Sequence, residues 1–350
     1  MQVFSGSLTL ETTIALQGKP AHQFFDPLFQ RLFVLDYQNP GVQVFDAHSG
    51  SRLLELGGLS FPTFLSFSAE YLFVSDFWGH RLVLFHRDSL EWAASIPVRR
   101  GPGFSLVEGS SLFLVSQLEY ALQVFDLESL ALRQSFELEG RVPRFFLFDD
   151  LLVLPYYDNY HTWSRDFELE DSIGFINLDT MYRWSIRGVS KKPLHVIRLE
   201  QGVYLAAGYL DRGIWLIRWG ETEVQPLVSW QGYSHLMDMV LFHDRLVLAS
   251  MSEESLLSVF PDGSGLVTVP AAGGMIDLEP VGDSFLAGIS NFENRLLLFD
   301  STLKRIAQIE TGDYPISVRF WQGKLFVLCM DEPCVQVYSL EGLAPGGGQQ

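Results

Sequence analysis

The chain has 350 residues, of which 47% are hydrophobic and 19% charged, with a formal net charge of −18. That composition is globular and not disordered. The negative charge argues against a broad electrostatic grip on nucleic acid or an anionic membrane, and no apolar run is long enough to span a bilayer.

The N-terminal stretch MQVFSGSLTLETTIALQGKP lacks a basic region followed by a long apolar segment. No secretory signal is expected, and the cytoplasm is the expected compartment. Within this stretch SLTLETTIALQG reads as one strand. A pattern then repeats along the chain: RLFVLDYQNPGVQVFDAHSG from Arg31, YLFVSDFWGHRLVLFHRDSL from Tyr71 and SLFLVSQLEYALQVFDLESL from Ser111. Two weaker copies begin at Leu151 and Val203. Three clear ones follow from Arg245, Ser284 and Lys324. Each copy has a short strand rich in Val, Leu and Phe, a polar turn, a second such strand, and a turn rich in Asp, Ser and Gly. Another strand precedes each hairpin, as in HQFFD and TFLSFS, and one follows each hairpin but the last, as in RLLELG and RIAQIET.

The count is eight first, eight second, eight third and seven fourth strands. The N-terminal strand can supply the missing one, Leu8–Leu16 pairing with Val335–Tyr338. The spacing therefore predicts an all-β, eight-bladed β-propeller of four-stranded antiparallel blades closed by an N-terminal strand, with seven blades as the fallback. Residues 1–342 are expected to form a single propeller domain. A loop at 156–171 is inserted in it, and the Gly-rich residues 343–350 are expected to be a disordered tail.

FPTFLSFSAEYLFVSDFWGHRLVLF resembles an NHL repeat, in which a Pro opens the inner strand and V-x-D…N-R-x-x-V-F runs through the hairpin. Pro62, Asp76, Arg81 and Phe85 match, while His80 stands where Asn is usual. NRLLLFD from Asn294 fits the same pattern, and LFVLDYQNPGVQVFD is similar to the related YVTN repeat. The resemblance implies a propeller whose relatives include protein-binding scaffolds, RNA binders, lyases and lactonases, so fold does not choose among functions.

In propellers of this kind one face carries the second-to-third-strand turns and the blade-to-blade loops. The turns would bring Tyr37, Trp78, His80, Tyr120, Tyr209, Arg212 and Phe292 there. The loops would add Arg99, Arg100, Arg141, Arg144 and Lys192. The inserted loop, with Tyr157, Tyr160, His161 and Trp163, crowds rings and charges together, a composition suited to a contact surface. On the inner strands, His22 and His195 each lie two residues after a Pro and His235 lies near the corresponding place; Phe64, Phe104 and Phe145 occupy comparable places elsewhere. Asp238 in MDM and Asp277 in IDL align on neighbouring blades. Three imidazoles or two carboxylates suggest a divalent metal or acid–base work; packing between blades and ion pairs in a hydrated lining are the plainer readings.

The motifs for dinucleotide, nucleotide, zinc-protease, EF-hand and α/β-hydrolase chemistry are absent. Cys329 and Cys334 flank a turn on strands that should pair, and free thiols are expected. The leading expectation is a non-catalytic scaffold without a cofactor. It would bind a protein or peptide through Trp78, Arg99, Arg100, Tyr157, Tyr160, His161, Trp163, Lys192 and Arg212. The alternative is a propeller-type lyase or lactonase using His195, His235, Asp238 and Asp277, with a divalent metal as its cofactor. Single-stranded RNA binding is a third reading, which the net charge disfavours.

Overall fold

In each repeat the two middle strands are predominantly apolar, and the computed structural model shows why. They are buried on both faces, whereas the outer fourth strands are largely exposed. A strand covered on both sides favours apolar residues on both faces, so the period-two alternation of a half-exposed strand is lost there. The structure describes residues 8–156, 172–189, 192–210, 212–221, 224–231 and 235–340. Among them there is no helix, and the strands form eight four-stranded antiparallel sheets. This is the predicted all-β fold class, an eight-bladed β-propeller.

In chain order β1 (Thr9–Ala15) comes first. Blade I holds β2 (Pro20–Asp26), β3 (Arg31–Asp36), β4 (Val42–Asp46) and β5 (Arg52–Leu56). Blade II holds β6 (Pro62–Phe67), β7 (Tyr71–Asp76), β8 (Arg81–His86) and β9 (Trp92–Pro97). Blade III holds β10 (Pro102–Glu108), β11 (Ser111–Ser116), β12 (Ala121–Asp126) and β13 (Leu132–Glu137). Blade IV holds β14 (Phe146–Phe148), β15 (Leu151–Pro155), β16 (Ser172–Asn177) and β17 (Arg183–Arg187). Blade V holds β18 (Pro193–Glu200), β19 (Val203–Gly208), β20 (Gly213–Arg218) and β21 (Gln225–Ser229). Blade VI holds β22 (Leu236–Phe242), β23 (Arg245–Ser250), β24 (Ser255–Val259) and β25 (Val267–Pro270). Blade VII holds β26 (Met275–Val281), β27 (Phe285–Ser290), β28 (Arg295–Asp300) and β29 (Arg305–Glu310). Blade VIII holds β30 (Pro315–Trp321), β31 (Lys324–Cys329) and β32 (Cys334–Ser339), and β1 is its fourth strand.

The chain divides into two compact units, with breaks at Pro20/Ala21 and Pro193/Leu194. In the unit of blades I–IV, apolar clusters fill the space between successive blades. Phe33, Val44, Leu65 and Val74 pack between I and II, and Phe73, Leu84, Leu112 and Phe125 between II and III. A buried ion pair joins I and II. Arg87 Nη2 and Nε donate to the two Asp26 oxygens at 2.6 and 2.8 Å, and Asp26 also accepts the Leu28 and Phe29 N–H groups.

The hairpin turns explain the NHL-like position. His80 and Asn294 close equivalent turns with φ of 51° and 52°, in the left-handed region that Asn tolerates better than most residues.

In the unit of blades V–VIII, β1 pairs antiparallel with β32, from Thr9 opposite Ser339 to Ala15 opposite Cys334. The predicted closing strand is therefore in place. Leu8 and Ile14 are its buried apolar residues, and Lys324 Nζ lies 2.5 Å from Glu11. Of the inserted loop Tyr156 is described; residues 157–171, and the tail from 341 onward, lie outside the described residues.

Candidate functional site

In blades I and II an Asp ends the second strand and ties down the backbone around the turn that follows. Asp36 accepts the Gln38 and Asn39 N–H groups, and Asp76 accepts those of Ser60 and Phe61 while holding Arg81 Nε at 2.8 Å. With the polar backbone tied inward, the ring-bearing residues of the turns face solvent. Trp78 is 59% exposed, and Tyr37 and Tyr120 are exposed on the equivalent turns of blades I and III.

Tyr37 and Trp78 belong to a connected set in the unit of blades I–IV. His22 meets Tyr37 edge-on, Tyr37 stacks on Phe61, Phe61 meets Phe77, and Phe77 meets Trp78 at a centroid distance of 4.8 Å. His80 Nδ1 lies 2.9 Å from the Phe77 carbonyl and fixes that turn. Phe61 and Phe77 complete the set but were not among the sequence candidates. Phe61 sits just before Pro62 in a blade-to-blade loop, and that position was the available signal.

The rim cations divide. Arg100 is exposed. Arg99 lies 2.5 Å from the Glu137 carboxylate, and Arg144 lies over the Phe146 ring. Lys192 ends the blade-to-blade loop before β18 with φ of 58°, and Arg212 lies in the turn before β20, where its carbonyl accepts the Trp230 N–H. Tyr157, Tyr160, His161 and Trp163 lie outside the described residues.

A further concavity, about 110 Å³ in volume, lies between blades III and IV. Glu137, Glu139, Tyr156, Phe175, Arg183 and Trp184 line it. Tyr156, counted in the sequence as the first residue of the loop, is buried. Burial and the nearby Glu139 charge push its hydroxyl up to about 12. Gly174 makes the room for it, since a Cβ there would come 2.8 Å from the Tyr156 oxygen.

The inner strands of the two units differ in chemistry. In blades I–IV the contacts are aromatic: Phe24, Phe64, Phe104 and Phe145 meet in sequence, with centroids 4.5–4.9 Å apart. In blades V–VIII they are polar, and each reaches into the next blade. His195 Nε2 lies 3.0 Å from the Met237 carbonyl oxygen and Nδ1 lies 3.5 Å from Asp238. Asp238 accepts the Leu278 N–H at 2.8 Å, and Asp277 accepts the Val318 N–H and an Arg319 N–H, both at 2.7 Å. Glu279 accepts the Phe320 N–H at 3.0 Å. His235 meets the Tyr209 ring edge-on, at 4.9 Å. Among the described residues no three His, Cys, Asp or Glu side chains are grouped to hold a metal ion.

Asp277 is held up at about 6. Burial is the main cause, and the Asp238 charge adds to it, against the lowering pull of Arg319 and the Val318 N–H. Burial raises Glu279 as well. For a carboxyl raised above its unfolded value, the folded chain holds a proton that the unfolded chain lacks between about pH 4 and 6, so stability falls as pH rises through that window. Denaturant melts at pH 4, 5, 6 and 7 should show that fall. Asp277→Asn should flatten it to the smaller slope due to Glu279; an unchanged slope in the variant would refute the assignment.

No protein-family model matches the chain, and no curated protein matches it in sequence. Solved structures do match. The computationally designed Ika8 protein is similar with a TM-score of 0.70 and 10% identity, over 93% of this chain and 97% of that one. BamB from Moraxella catarrhalis matches with a TM-score of 0.68 and 10% identity, over 98% and 99%. The dihydro-heme d1 dehydrogenase NirN in complex with DHE matches at 0.70 and 14%, over 97% and 76%. At these identities the likeness shows the β-propeller fold alone. The NHL/YVTN assignment rests on the motifs quoted above, without a matching family model.

Proposed function

We propose that the protein is a non-catalytic β-propeller scaffold of NHL/YVTN-type repeats that binds an extended protein or peptide segment on the turns of blades I–III. The carrying observation is the connected ring set from His22 to Trp78, with Tyr37 and Trp78 open to solvent. Aromatic rings give large contact area with few rotors to freeze, the usual chemistry of interface anchors. Exposed Arg100, next to the Gly101 whose N–H reaches the His80 ring, favours a segment with acidic residues flanking apolar ones. The inner-strand carboxylates support the same reading. Asp238 and Asp277 spend oxygens on backbone N–H groups of the next blade, which is the work of a latch between blades.

The test is selection of displayed random peptides against the full chain. Selected peptides should share apolar residues with acidic flanks. Tyr37→Ser with Trp78→Ser should weaken them about 30-fold, the loss of about 2 kcal/mol typical of a hot spot. Equal binding by that double variant at an unchanged melting temperature would refute the proposal.

A further inference from the structure

Cys329 and Cys334 stand directly opposite each other across the β31–β32 hairpin, and both are buried. Directly opposed residues of an antiparallel pair have Cα atoms about 4.5 or 5.5 Å apart. Both spacings fall inside the roughly 4.4–6.8 Å that a disulfide requires. The side chains face each other: the Cys329 thiol donates to the Cys334 sulfur, which holds Cys334 below the ordinary thiol value and pushes Cys329 above it. Cys334 is also the less buried of the two, at 3% against 0% exposed, which makes it the attacking thiol and Cys329 the resolving one.

One loop also roofs the pair. The loop before β30 passes over the pair at Gly312, whose N–H donates to Gln336. A Cβ on Gly312 would lie 3.2 Å from both sulfurs and 2.8 Å from a Glu332 oxygen. Contacts that short leave no room for a side chain, so glycine is what lets the loop lie directly on both thiols. The surrounding turn is anchored on both sides, by Leu16 N–H to the Pro333 carbonyl, Met330 N–H to the Tyr314 carbonyl, and Lys19 to Asp331.

We propose that Cys329 and Cys334 form a reversible peroxide-oxidised dithiol site in blade VIII, beneath the loop at Gly312. The Cys334 thiolate attacks one peroxide oxygen; the O–O bond breaks, and the departing hydroxide takes a proton to become water. The resulting Cys334 sulfenic acid is then attacked by the Cys329 sulfur; the S–O bond breaks, the S–S bond forms, and a second water leaves with the Cys329 proton. Two thiols lose two electrons, and hydrogen peroxide gains them.

The full reduced chain should be exposed to hydrogen peroxide, unfolded in acid, alkylated and weighed. Both thiols should disappear together, with loss of the mass of two hydrogens, and dithiothreitol should restore them. Cys329→Ser should stop at a sulfenic acid on Cys334 that dimedone traps. Two thiols surviving a dose that fully oxidises free cysteine would overturn the proposal, and so would a bond between two chains instead of within one.

Discussion

Replacing Asp26 with alanine should cost about 3–5 kcal/mol of stability, the range for removing one partner of a buried ion pair. The Asp26 side chain is fully buried and Arg87 nearly so. The variant leaves the Arg87 guanidinium without its bidentate partner and the Leu28 and Phe29 N–H groups without an acceptor. The pH response gives a second readout. Burial alone would raise Asp26, but the hydrogen bonds and charge of Arg87 and the two N–H groups outweigh it, and the net direction is downward. A carboxylate held below its unfolded value contributes stability that is present above about pH 4 and lost as pH falls through the folded value. The parent should therefore lose stability below pH 4, and Asp26→Ala should lose less. This sign is opposite to that of Asp277, so one set of melts from pH 2.5 to 7 separates the two residues. A variant within 1 kcal/mol of the parent at pH 7 would show that the pair does not hold blades I and II together.

The second large effect is expected from removing residues 1–17. This strips β1 from blade VIII, takes Leu8 and Ile14 from the core and opens the whole edge of β32. Burial of two such side chains is worth about 1.5–3 kcal/mol each, so about 3–6 kcal/mol should be lost. The bared edge should also promote association between chains. Chemical denaturation and light scattering measure the two consequences. An unchanged midpoint together with a monodisperse monomer would contradict the role assigned to β1.

Particular residues show where sequence reasoning reached and where it stopped. The blades were legible because a strand covered on both faces is mostly apolar, and runs such as LFVL and LVLF carry that requirement openly. Closure by β1 followed from counting, since fourth strands were one short. Asp238 and Asp277 aligned on neighbouring inner strands. Their partners Leu278 and Val318 did not show, because each lies about forty residues on and depends on the stagger between blades. Arg99 read as a rim contact; Glu137 sits beside it through packing of blade II against blade III, which local spacing does not encode. Tyr156 read as part of a surface loop, but Gly174, eighteen positions further on, provides the space that buries it. Trp78 and Tyr37 were legible as turn residues, whereas the link through Phe61 depended on geometry between two blades.

The partnership of β1 with β32 has a consequence in time. Ala15 sits opposite Cys334, so β1 waits for β32, which is made after all seven other blades. At about 5–20 residues per second, synthesis of the chain between them takes on the order of tens of seconds. Throughout that interval blade VIII has no β32, and β1 leaves the ribosome without its native neighbour. Blades I–VII hold strands that are consecutive in the chain and can pair as they emerge. Closing blade VIII is therefore the assembly step that a holding chaperone would most affect, and the step a slow ribosome would most delay.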